Sequence, residues 1–512
     1  MKKQTNAKKH IGRTVELVIS CILFAAAAVL TGVTTWVNAT FDVSLQQILY
    51  TLASPLDGSE AGVVVDGVAA CIPHLLVLAL FILAGTACLL IQRRFAIALN
   101  ITAFRWRRTI NLPNLIRHLM TLFAVLCLFN SLKFVNDSLD VLGYAKLRSN
   151  ASTLYESHYV DPKSVSITAP AKKKNLLCIY LESMETTYAS QDVGGRQPVN
   201  YIPNLTALAQ DNWSFSNSTL LGGSHSGTGT NWTMAALLSS TSGIPFSFPV
   251  ADNAMGEQAH FAPGCVSLGE ILADNGYRNL FLCGSDGEFA GRKQYFEQHG
   301  DYEVYDYFSA RDDGYFPEDY HVWWGIQDRL LYEIAKDKLL EMAEGGEPFN
   351  FTMLTVDTHH IGGYVCELCG SEYENQTANV VACADRQIAE FLEWCSQQDF
   401  YEDTVIVVLG DHPRMDTNLV EGLDYYKRTV YNCFLNVACP LPDVSRRQNR
   451  EFCTLDYYPT ILAAMGFEIK GNRLGLGVNL FSDEKTLSER MGFRNLDSEI
   501  AKYSPYYIEH FV

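Results

Sequence analysis

Three apolar stretches near the start of the chain predict membrane-spanning helices. They run from Val15 to Val37, from Val68 to Ile91 and from Leu119 to Val135. A helix needs about 20 residues to cross the hydrocarbon core of a bilayer. The first two stretches reach that length, and the third reaches it with a lead-in that contains Pro113. We therefore predict a transmembrane domain of three helices over residues 1–135.

Basic residues in the flanking segments predict how these helices are oriented. Lys and Arg are frequent in residues 1–13 and 92–108, whereas residues 38–67 contain neither. Cytoplasmic loops carry the excess of positive charge, so we expect the N-terminus inside and everything after the third helix outside. A cleaved signal peptide followed by two buried helices is the alternative. Residues 38–60 are mildly amphipathic and predict either a helix on the bilayer surface or an ordinary loop helix.

A polar connector over residues 136–174 leads into a globular domain over residues 175–512. There, short apolar runs alternate with helical patterns, which predicts an α/β fold with a central, mostly parallel sheet flanked by helices. Ligands of such sheets bind beyond the carboxyl ends of the strands, and four of the runs end in ionisable residues. These residues are Glu182, then Asp286, then Asp357 with His359 and His360, and finally Asp411 with His412.

The segment "GGSHSGTGTNWTMAALLSSTSGIP", residues 222–245, joins a glycine-rich turn to an apolar run. We predict a strand over residues 213–223 before it and a helix over residues 232–239 within it. A hydroxyl at a helix N-terminus lies in positive potential that suits phosphate, but it needs a base or a metal to become a nucleophile. Spacing alone leaves five candidate nucleophiles: Ser224, Ser226, Thr228, Thr230 and Thr233. Thr233 is less available, because it falls inside the predicted helix.

Charge and cysteine content narrow the function classes. The net charge of −18 excludes a nucleic-acid-binding role. Fourteen cysteines are present, and Cys366-x-x-Cys369 is followed by Cys383 and Cys395. For an external domain, we favour disulfides over a zinc site, because no second CxxC or paired histidine completes four ligands.

Several longer stretches together resemble a known family. They are "NLLCIYLESMETTY", "IPNLTALA", "GTNWTMAALLSSTSGIP", "CGSDGEFAGRKQYFEQHG", "WWGIQD", "LTVDTHH", "VVLGDH", "TLDYYPTILAAMGF" and "RLGLGVNLFS". The chain resembles the membrane-anchored phosphoglycerol transferases of the alkaline phosphatase and sulfatase superfamily. That family includes the enzymes that modify osmoregulated periplasmic glucans and the lipoteichoic acid synthases. The resemblance implies an alkaline-phosphatase/sulfatase-like catalytic domain.

The resemblance also implies a metal site and a nucleophile. Counting back from Gly243, it assigns the nucleophile to Thr230. It assigns one divalent cation, usually manganese, with magnesium or zinc as alternatives, to Glu182, Thr230, Asp411 and His412.

Two further positions match the region that holds the phosphoglycerol head group. The resemblance implies that Arg292 and His359 bind it, and we add the strand-end Asp286 as a third candidate. His359 and His412 are both candidates for proton transfer, and His359 is the better one because metal coordination would occupy His412.

A tryptophan of lipoteichoic acid synthases is Ala290 here, and a nearby histidine is Cys283. These departures favour the glucan-modifying type over the polymerase.

The implied reaction is a two-step transfer at the outer leaflet of a bacterial inner membrane. Phosphatidylglycerol donates a phosphoglycerol group to a threonine, and a glycan or a polyglycerol-phosphate acceptor then receives it. A phosphoethanolamine transferase, a phosphodiesterase, a sulfatase and a non-enzymatic membrane sensor are the alternatives.

Overall fold

The computed structural model describes residues 2–41, 45, 48–49, 61–95, 97–103, 106–248 and 259–512. Most of the amphipathic stretch predicted at 38–60 lies outside these residues. The described chain divides into two compact units, of which the first comprises residues 1–41 and 61–144, and the second residues 42–60 and 145–512. Each unit is described by itself below.

The first unit contains three long helices and one β-hairpin. The elements are α1 (Lys2–Thr40), α2 (Ala61–Arg94), β1 (Ala98–Ala103), β2 (Trp106–Asn111) and α3 (Leu112–Leu139). Segments of α1, α2 and α3 are long and apolar enough to cross a membrane, over Ile11–Thr40, Val65–Gln92 and Leu112–Leu139. The third begins at the predicted lead-in, with Pro113 in its first turn and the Asn111 side chain accepting a hydrogen bond from the backbone N–H of Asn114.

Polar contacts between α1 and α3 accompany the apolar packing of this unit. Arg117 donates to Glu16 at 2.6 Å. The Ser20 and Thr121 hydroxyls lie 2.8 Å apart. Such side chains avoid hydrocarbon by pairing with each other. Large apolar side chains lie on the outside of this unit instead, and Leu80, for example, is 66% exposed. An apolar outer surface of this kind suits contact with lipid.

The second unit is an α/β domain, and α4 (Val141–Arg148) leads into it. Its strands are β3 (Ile167–Thr168), β4 (Asn175–Leu181), β5 (Arg278–Cys283), β6 (Glu303–Tyr305), β7 (Phe349–Leu354), β8 (Thr404–Gly410), β9 (Asn432–Leu435), β10 (Glu468–Ile469), β11 (Arg473–Leu474) and β12 (Gly477–Val478). Its helices are α5 (Leu154–His158), α6 (Pro203–Asp211), α7 (Thr233–Ser242), α8 (Leu268–Asp274), α9 (Arg292–Gln298), α10 (Tyr307–Asp312), α11 (Asp328–Glu344), α12 (Gln376–Ser396), α13 (Tyr457–Ala464), α14 (Leu487–Met491), α15 (Phe493–Ile500) and α16 (Pro505–Phe511).

A six-stranded sheet in the order β6-β5-β7-β4-β8-β9 forms the centre of this domain. All neighbours are parallel except β8 and β9, which are antiparallel. The four runs that were predicted as strands with polar ends are β4, β5, β7 and β8, so the predicted fold class is confirmed. Because these strands are parallel, their carboxyl ends lie at one edge, and β4 lies between β7 and β8.

Apolar side chains cover both faces of the sheet, as expected for parallel strands with helices on each side. Along β4, Leu176, Cys178 and Tyr180 belong to one buried cluster, whereas Leu177 and Ile179 belong to the other. This alternation follows the two-residue period of a strand. The near-continuous apolar sequence of β4 therefore reflects burial on both faces.

The strand predicted over residues 213–223 does not form. Within that described segment, Trp213 makes only an isolated bridge to Phe434. The Asn432 side chain holds the backbone of Phe215 instead, accepting from its N–H at 2.8 Å and donating to its carbonyl at 2.8 Å. The Asn432 side chain thus takes the place of the backbone hydrogen bonds that a neighbouring strand would have made.

Candidate active site

Three ionisable side chains converge at the carboxyl edge of the central strands. Glu182 follows β4, and Asp411 and His412 follow β8. One ligand atom from each lies within 4.8 Å of the others. All three side chains are buried. The structure therefore brings together three of the four residues that the resemblance assigned to the metal.

Hydrogen bonds orient these groups and leave acceptor atoms for a cation. Asp411 Oδ1 accepts from the backbone N–H groups of Ser183 and His412, each at 2.7 Å. Among the described residues, the buried Asp411 Oδ2 has no hydrogen-bond partner, and it lies 3.4 Å from His412 Nε2. His412 Nδ1 lies 2.9 Å from the carbonyl of Pro413, so Nδ1 carries the proton and Nε2 keeps its lone pair.

The electrostatics of this cluster favour a bound positive charge. Burial, together with the charge of Glu182, raises the pKa of Asp411 to about 7. Burial also acts to raise the pKa of Glu182, but the imidazoles of His359 and His412 outweigh it and lower that pKa. Burial acts to lower the pKa of His412, and the two carboxylates reverse this and raise it. Two buried carboxylates and an imidazole nitrogen form a donor set that fits a divalent cation.

Two hydroxyls contact this cluster. Ser183 Oγ donates to Glu182 Oε1 at 2.6 Å, and the Thr233 hydroxyl contacts both Glu182 and His412. Thr233 Oγ1 donates to Glu182 Oε2 at 3.2 Å and lies 3.3 Å from His412 Nε2. Thr233 is the first residue of α7, because Trp232 is still extended, with φ −147° and ψ 162°. The predicted helix began one residue earlier and therefore made Thr233 look unavailable. The structure instead places the Thr233 hydroxyl at the cluster, in the first turn of the helix, where the backbone N–H groups have no partner within the helix.

Thr230, the expected nucleophile and fourth ligand, is engaged within its own turn. Its Oγ1 accepts from the backbone N–H of Gly227 at 2.8 Å and donates to the Gly227 carbonyl at 3.2 Å. The Ser226 hydroxyl lies 3.3 Å from the same atom. The described contacts thus give this hydroxyl a local turn-forming role, whereas the Thr233 hydroxyl hydrogen-bonds to Glu182. The assignment of Thr230 as nucleophile stays a prediction.

His359 lies on the loop that follows β7. Its Nδ1 is 2.8 Å from the carbonyl of His360, and its ring centroid is 4.6 Å from that of Trp324. Burial lowers its pKa, against the opposing charge of Glu182. The imidazole is therefore neutral near pH 7, with Nδ1 protonated towards the carbonyl and Nε2 available as a proton acceptor.

Arg292 and Asp286 lie together on the segment after β5. Arg292 is buried at the start of α9, where its Nε donates to the Phe289 carbonyl at 3.1 Å and its Nη2 to the Asp286 carbonyl at 2.7 Å. The Asp286 carboxylate accepts from the backbone N–H of Glu288 at 2.9 Å. Asp286 therefore shapes the turn that positions Arg292.

Stacked rings join this turn to the loop after β7. The Phe289 ring lies under the Arg292 guanidinium, with 5.5 Å from its centroid to Cζ. The same ring is 5.4 Å from Trp324, which in turn contacts His359. Arg292 and His359 are thus brought to one region, although they follow different strands.

A buried network of two arginines connects the loops that carry the cluster. Sequence reasoning did not predict this network. Glu185 accepts from Arg428 at 2.7 and 3.0 Å and from the backbone N–H of Arg414 at 3.0 Å. The Arg414 side chain donates to Asp416 at 2.6 and 2.7 Å and to the Thr358 carbonyl at 2.9 Å. One guanidinium therefore ties together the loops after β7 and β8. The sequence signal was "DHPRMD", in which charged residues follow a buried strand directly.

Asp328 and Asp357 form a second buried pair. Asp328 accepts from the backbone N–H groups of Val356 and Asp357, at 2.7 and 3.2 Å, and Asp357 accepts from the N–H of Asp328 at 3.1 Å. Burial raises the pKa of Asp328 to about 7. Burial and the neighbouring Asp328 carboxyl together raise the pKa of Asp357 to about 9. Asp357, singled out as a strand-end carboxylate, thus braces the loop that carries His359.

Residues 174–426 match the family model described as Sulfatase. Phosphoglycerol transferase I of Xanthomonas axonopodis pv. citri (strain 306) is 30% identical over 345 residues, which are 65% of this chain and 47% of that protein. Phosphoglycerol transferase I of Escherichia coli O127:H6 (strain E2348/69 / EPEC) is 30% identical over 363 residues, which are 69% of this chain and 44% of that protein. The chain therefore spans less than half the length of these two relatives.

Among solved structures, one that aligns with this chain is the lipoteichoic acid synthase LtaP from Listeria monocytogenes. It aligns with a TM-score of 0.48 and 18% identity, over 62% of this chain and 79% of that chain.

Replacing Arg414 by methionine tests the buried network. The change keeps an unbranched side chain but removes the guanidinium that pairs with the Asp416 carboxylate and donates to the Thr358 carbonyl. We expect the free energy of unfolding to fall by about 3–5 kcal/mol, because removing one partner of a buried pair leaves an uncompensated charge. Denaturation of the full chain in detergent measures this loss. The control is Arg311→Met, whose pair with Asp312 is partly exposed and should contribute less than about 1 kcal/mol; equal losses in both variants would contradict the assignment.

Replacing Asp357 by asparagine tests the carboxyl pair. With raised pKa values, the folded chain keeps protons that the unfolded chain loses above about pH 4. Folding is therefore disfavoured increasingly as the pH rises from there towards the raised pKa values. We expect Asp357→Asn to leave stability nearly unchanged at pH 4.5 and to raise it by about 1–2 kcal/mol at pH 8. The exposed Asp319→Asn should change nothing at either pH, and a pH-independent effect of Asp357→Asn would show that the carboxyls are not coupled.

Proposed function

Residues 174–426 match the family model described as Sulfatase, and from this match we propose that the chain is a metal-dependent phosphoglycerol transferase. It moves a phosphoglycerol group from phosphatidylglycerol to a cell-envelope glycan or a glycerol-phosphate acceptor. The observation that carries the proposal is the hydroxyl of Thr233, which lies at a helix N-terminus within 3.3 Å of both Glu182 and His412.

Glu182, Asp411, His412 and Thr233 are the residues we assign to the cation, with manganese as its identity. The buried Asp411 Oδ2, which lacks a hydrogen-bond partner among the described residues, is the atom that most needs a positive neighbour. When bound, a divalent cation there polarises the phosphoryl oxygens and lowers the pKa of the hydroxyl.

Thr233 is the nucleophile in this proposal. In the first step, its Oγ1 loses a proton and bonds to the phosphorus of the lipid phosphodiester. The bond from phosphorus to the diacylglycerol oxygen breaks, and that oxygen takes up the proton. In the second step, an acceptor hydroxyl loses its proton and attacks the same phosphorus, and Thr233 Oγ1 leaves and regains a proton. The free N–H groups at the start of α7 favour the anionic phosphate in both steps.

His359 carries these protons between oxygens. Its Nδ1 is directed at the carbonyl of His360, so Nε2 is the atom that accepts and returns each proton. The lowered pKa keeps the ring neutral between transfers, as a base near neutral pH requires. Once it turns from its own loop carbonyls, Arg292 pairs with the phosphate oxygens, and Asp286 holds the turn on which Arg292 lies.

The apolar helices give this reaction its location. We propose that they span a bacterial inner membrane, with the domain over residues 175–512 outside, next to phosphatidylglycerol of the outer leaflet. A membrane tether raises the effective concentration of a lipid donor.

The choice between the two threonines is tested by paired substitutions. We expect Thr233→Ala to reduce transfer from head-group-labelled phosphatidylglycerol by at least about 1,000-fold, because the change removes the oxygen that attacks phosphorus. Thr230→Ala should retain transfer and lose stability, since it removes a hydrogen bond to Gly227. Mapping the covalent label by mass spectrometry should place it on the peptide that contains Thr233.

The opposite pattern, in which Thr230→Ala is inactive and Thr233→Ala active, would restore Thr230 as the nucleophile. Release of label into water at the same rate with and without an acceptor glycan would instead identify a phosphodiesterase.

Removal of the cation should affect both activity and stability. We expect chelation to abolish transfer and manganese to restore it. A cation at 100 times its dissociation constant should also stabilise the fold by about 2.7 kcal/mol, measurable as a rise in melting temperature. Asp411→Asn, which removes one carboxylate, should greatly reduce that rise. A melting temperature that manganese raises equally in both proteins would show that the cation binds elsewhere.

A further inference from the structure

Three cysteine thiols converge outside the active site. Cys366 and Cys369 lie on the loop of residues 355–375, and Cys383 lies on α12. The sulfur atoms of all three lie within 4.8 Å of one another. Cys395, the fourth cysteine considered in the sequence, is buried further along α12 and is not part of this group.

The sulfur spacing matches a tetrahedral metal site better than a disulfide. Cys366 Sγ lies 3.7 Å from Cys369 Sγ and 3.7 Å from Cys383 Sγ. Two thiolates on a tetrahedral zinc ion, each with a bond of about 2.3 Å, are separated by about 3.8 Å. A disulfide needs about 2.05 Å between two sulfurs, and any one such bond would leave the third thiol beside it.

A buried amide completes the surroundings of the cluster. Gln387, one helical turn after Cys383, points its amide at Cys383 Sγ at 3.4 Å and at Cys366 Sγ at 4.0 Å. Its Oε1 is buried and has no hydrogen-bond partner within the described part of the chain. The two ends of an amide are assigned from their hydrogen bonds. The Gln387 amide can therefore either donate an N–H to the thiolates or direct its oxygen at a cation bound by the three sulfurs.

We propose that Cys366, Cys369 and Cys383 bind a zinc ion, with the Gln387 amide beside the fourth position. Binding releases the three thiol protons and forms three zinc–thiolate bonds, without a change of oxidation state. The sequence-based preference for disulfides rested on the lack of a fourth ligand, and Gln387 supplies a polar group that the sequence pattern did not reveal.

The zinc ion would join the loop of residues 355–375 to α12. This loop runs from the end of β7 through His359 and turns at Gly362 and Gly363, with φ values of 78° and 76°. A long loop with little regular structure is expensive to order, and a cross-link between two of its points and a helix reduces its freedom. The site therefore stabilises the loop that carries His359, and it stands independently of the proposed function.

Zinc content of the full chain, purified in detergent without chelator, tests the proposal. We expect Cys383→Ala to contain one zinc equivalent less per chain than the unchanged protein, by elemental mass spectrometry. The matched control is Cys395→Ala, a buried cysteine of the same helix, which should keep the full content. A cation at Glu182, Asp411 and His412 is present in all three proteins and cancels in the comparison.

A thiol-specific measurement separates the two sites further. An organomercurial that titrates thiols should release one zinc per chain from the unchanged protein, detected with a metal-binding dye, because the ligands of the active site contain no sulfur. Should Cys383→Ala fail to fold, Cys369→Ser, on the loop and partly exposed, should show the same loss of release. Equal zinc content in Cys383→Ala and the unchanged protein would overturn the proposal, and so would a disulfide between any two of the three cysteines in the purified chain.

Discussion

The buried pairing of Arg414 and Arg428 with acidic partners is the constraint on which the active site depends. A parallel sheet delivers Glu182, Asp411 and His412 to one edge, where burial opposes their charges. Arg428 neutralises Glu185 in the turn after β4, and Arg414 donates from the loop after β8 to the backbone of the loop after β7. Because these contacts are almost completely excluded from water, the loops cannot move separately without leaving a charge unpaired. The spacing of Glu182, Asp411 and His412 is therefore set in part by charge compensation in the adjoining loops.

Helix α7 contributes the remaining part of the site through a single backbone transition. Trp232 stays extended and Thr233 turns into the helix, so that one hydroxyl and the free N–H groups of the first turn face the same point. Thr230, three residues earlier, uses its hydroxyl to close the preceding turn. The hydroxyl that we propose as the nucleophile and a hydroxyl that closes a turn therefore lie three residues apart in the sequence.

The sequence predicted those elements of the fold that depend on local patterns of apolar and polar residues. Apolar runs with ionisable ends predicted β4, β5, β7 and β8, and these endings brought Glu182, Asp411 and His412 to one place. The pattern did not resolve where α7 begins, because a shift of one residue leaves the periodicity almost unchanged. It also did not reveal the contact of Arg414 with the Thr358 carbonyl or the approach of Cys383 to Cys366, since both join segments that meet only in the folded chain.

The position of each strand in the sheet has a consequence for how substrate preference diverges among such proteins. Glu182 follows β4, which is paired on both sides, so a displacement there disrupts two ladders. Arg292 follows β5, which pairs with the three-residue edge strand β6 on its outer side. Under the proposed function, mutations near that edge would change the recognition of a head group while the proposed metal site keeps its geometry. Donor preference could then diverge at the edge of the sheet without a loss of the proposed chemistry.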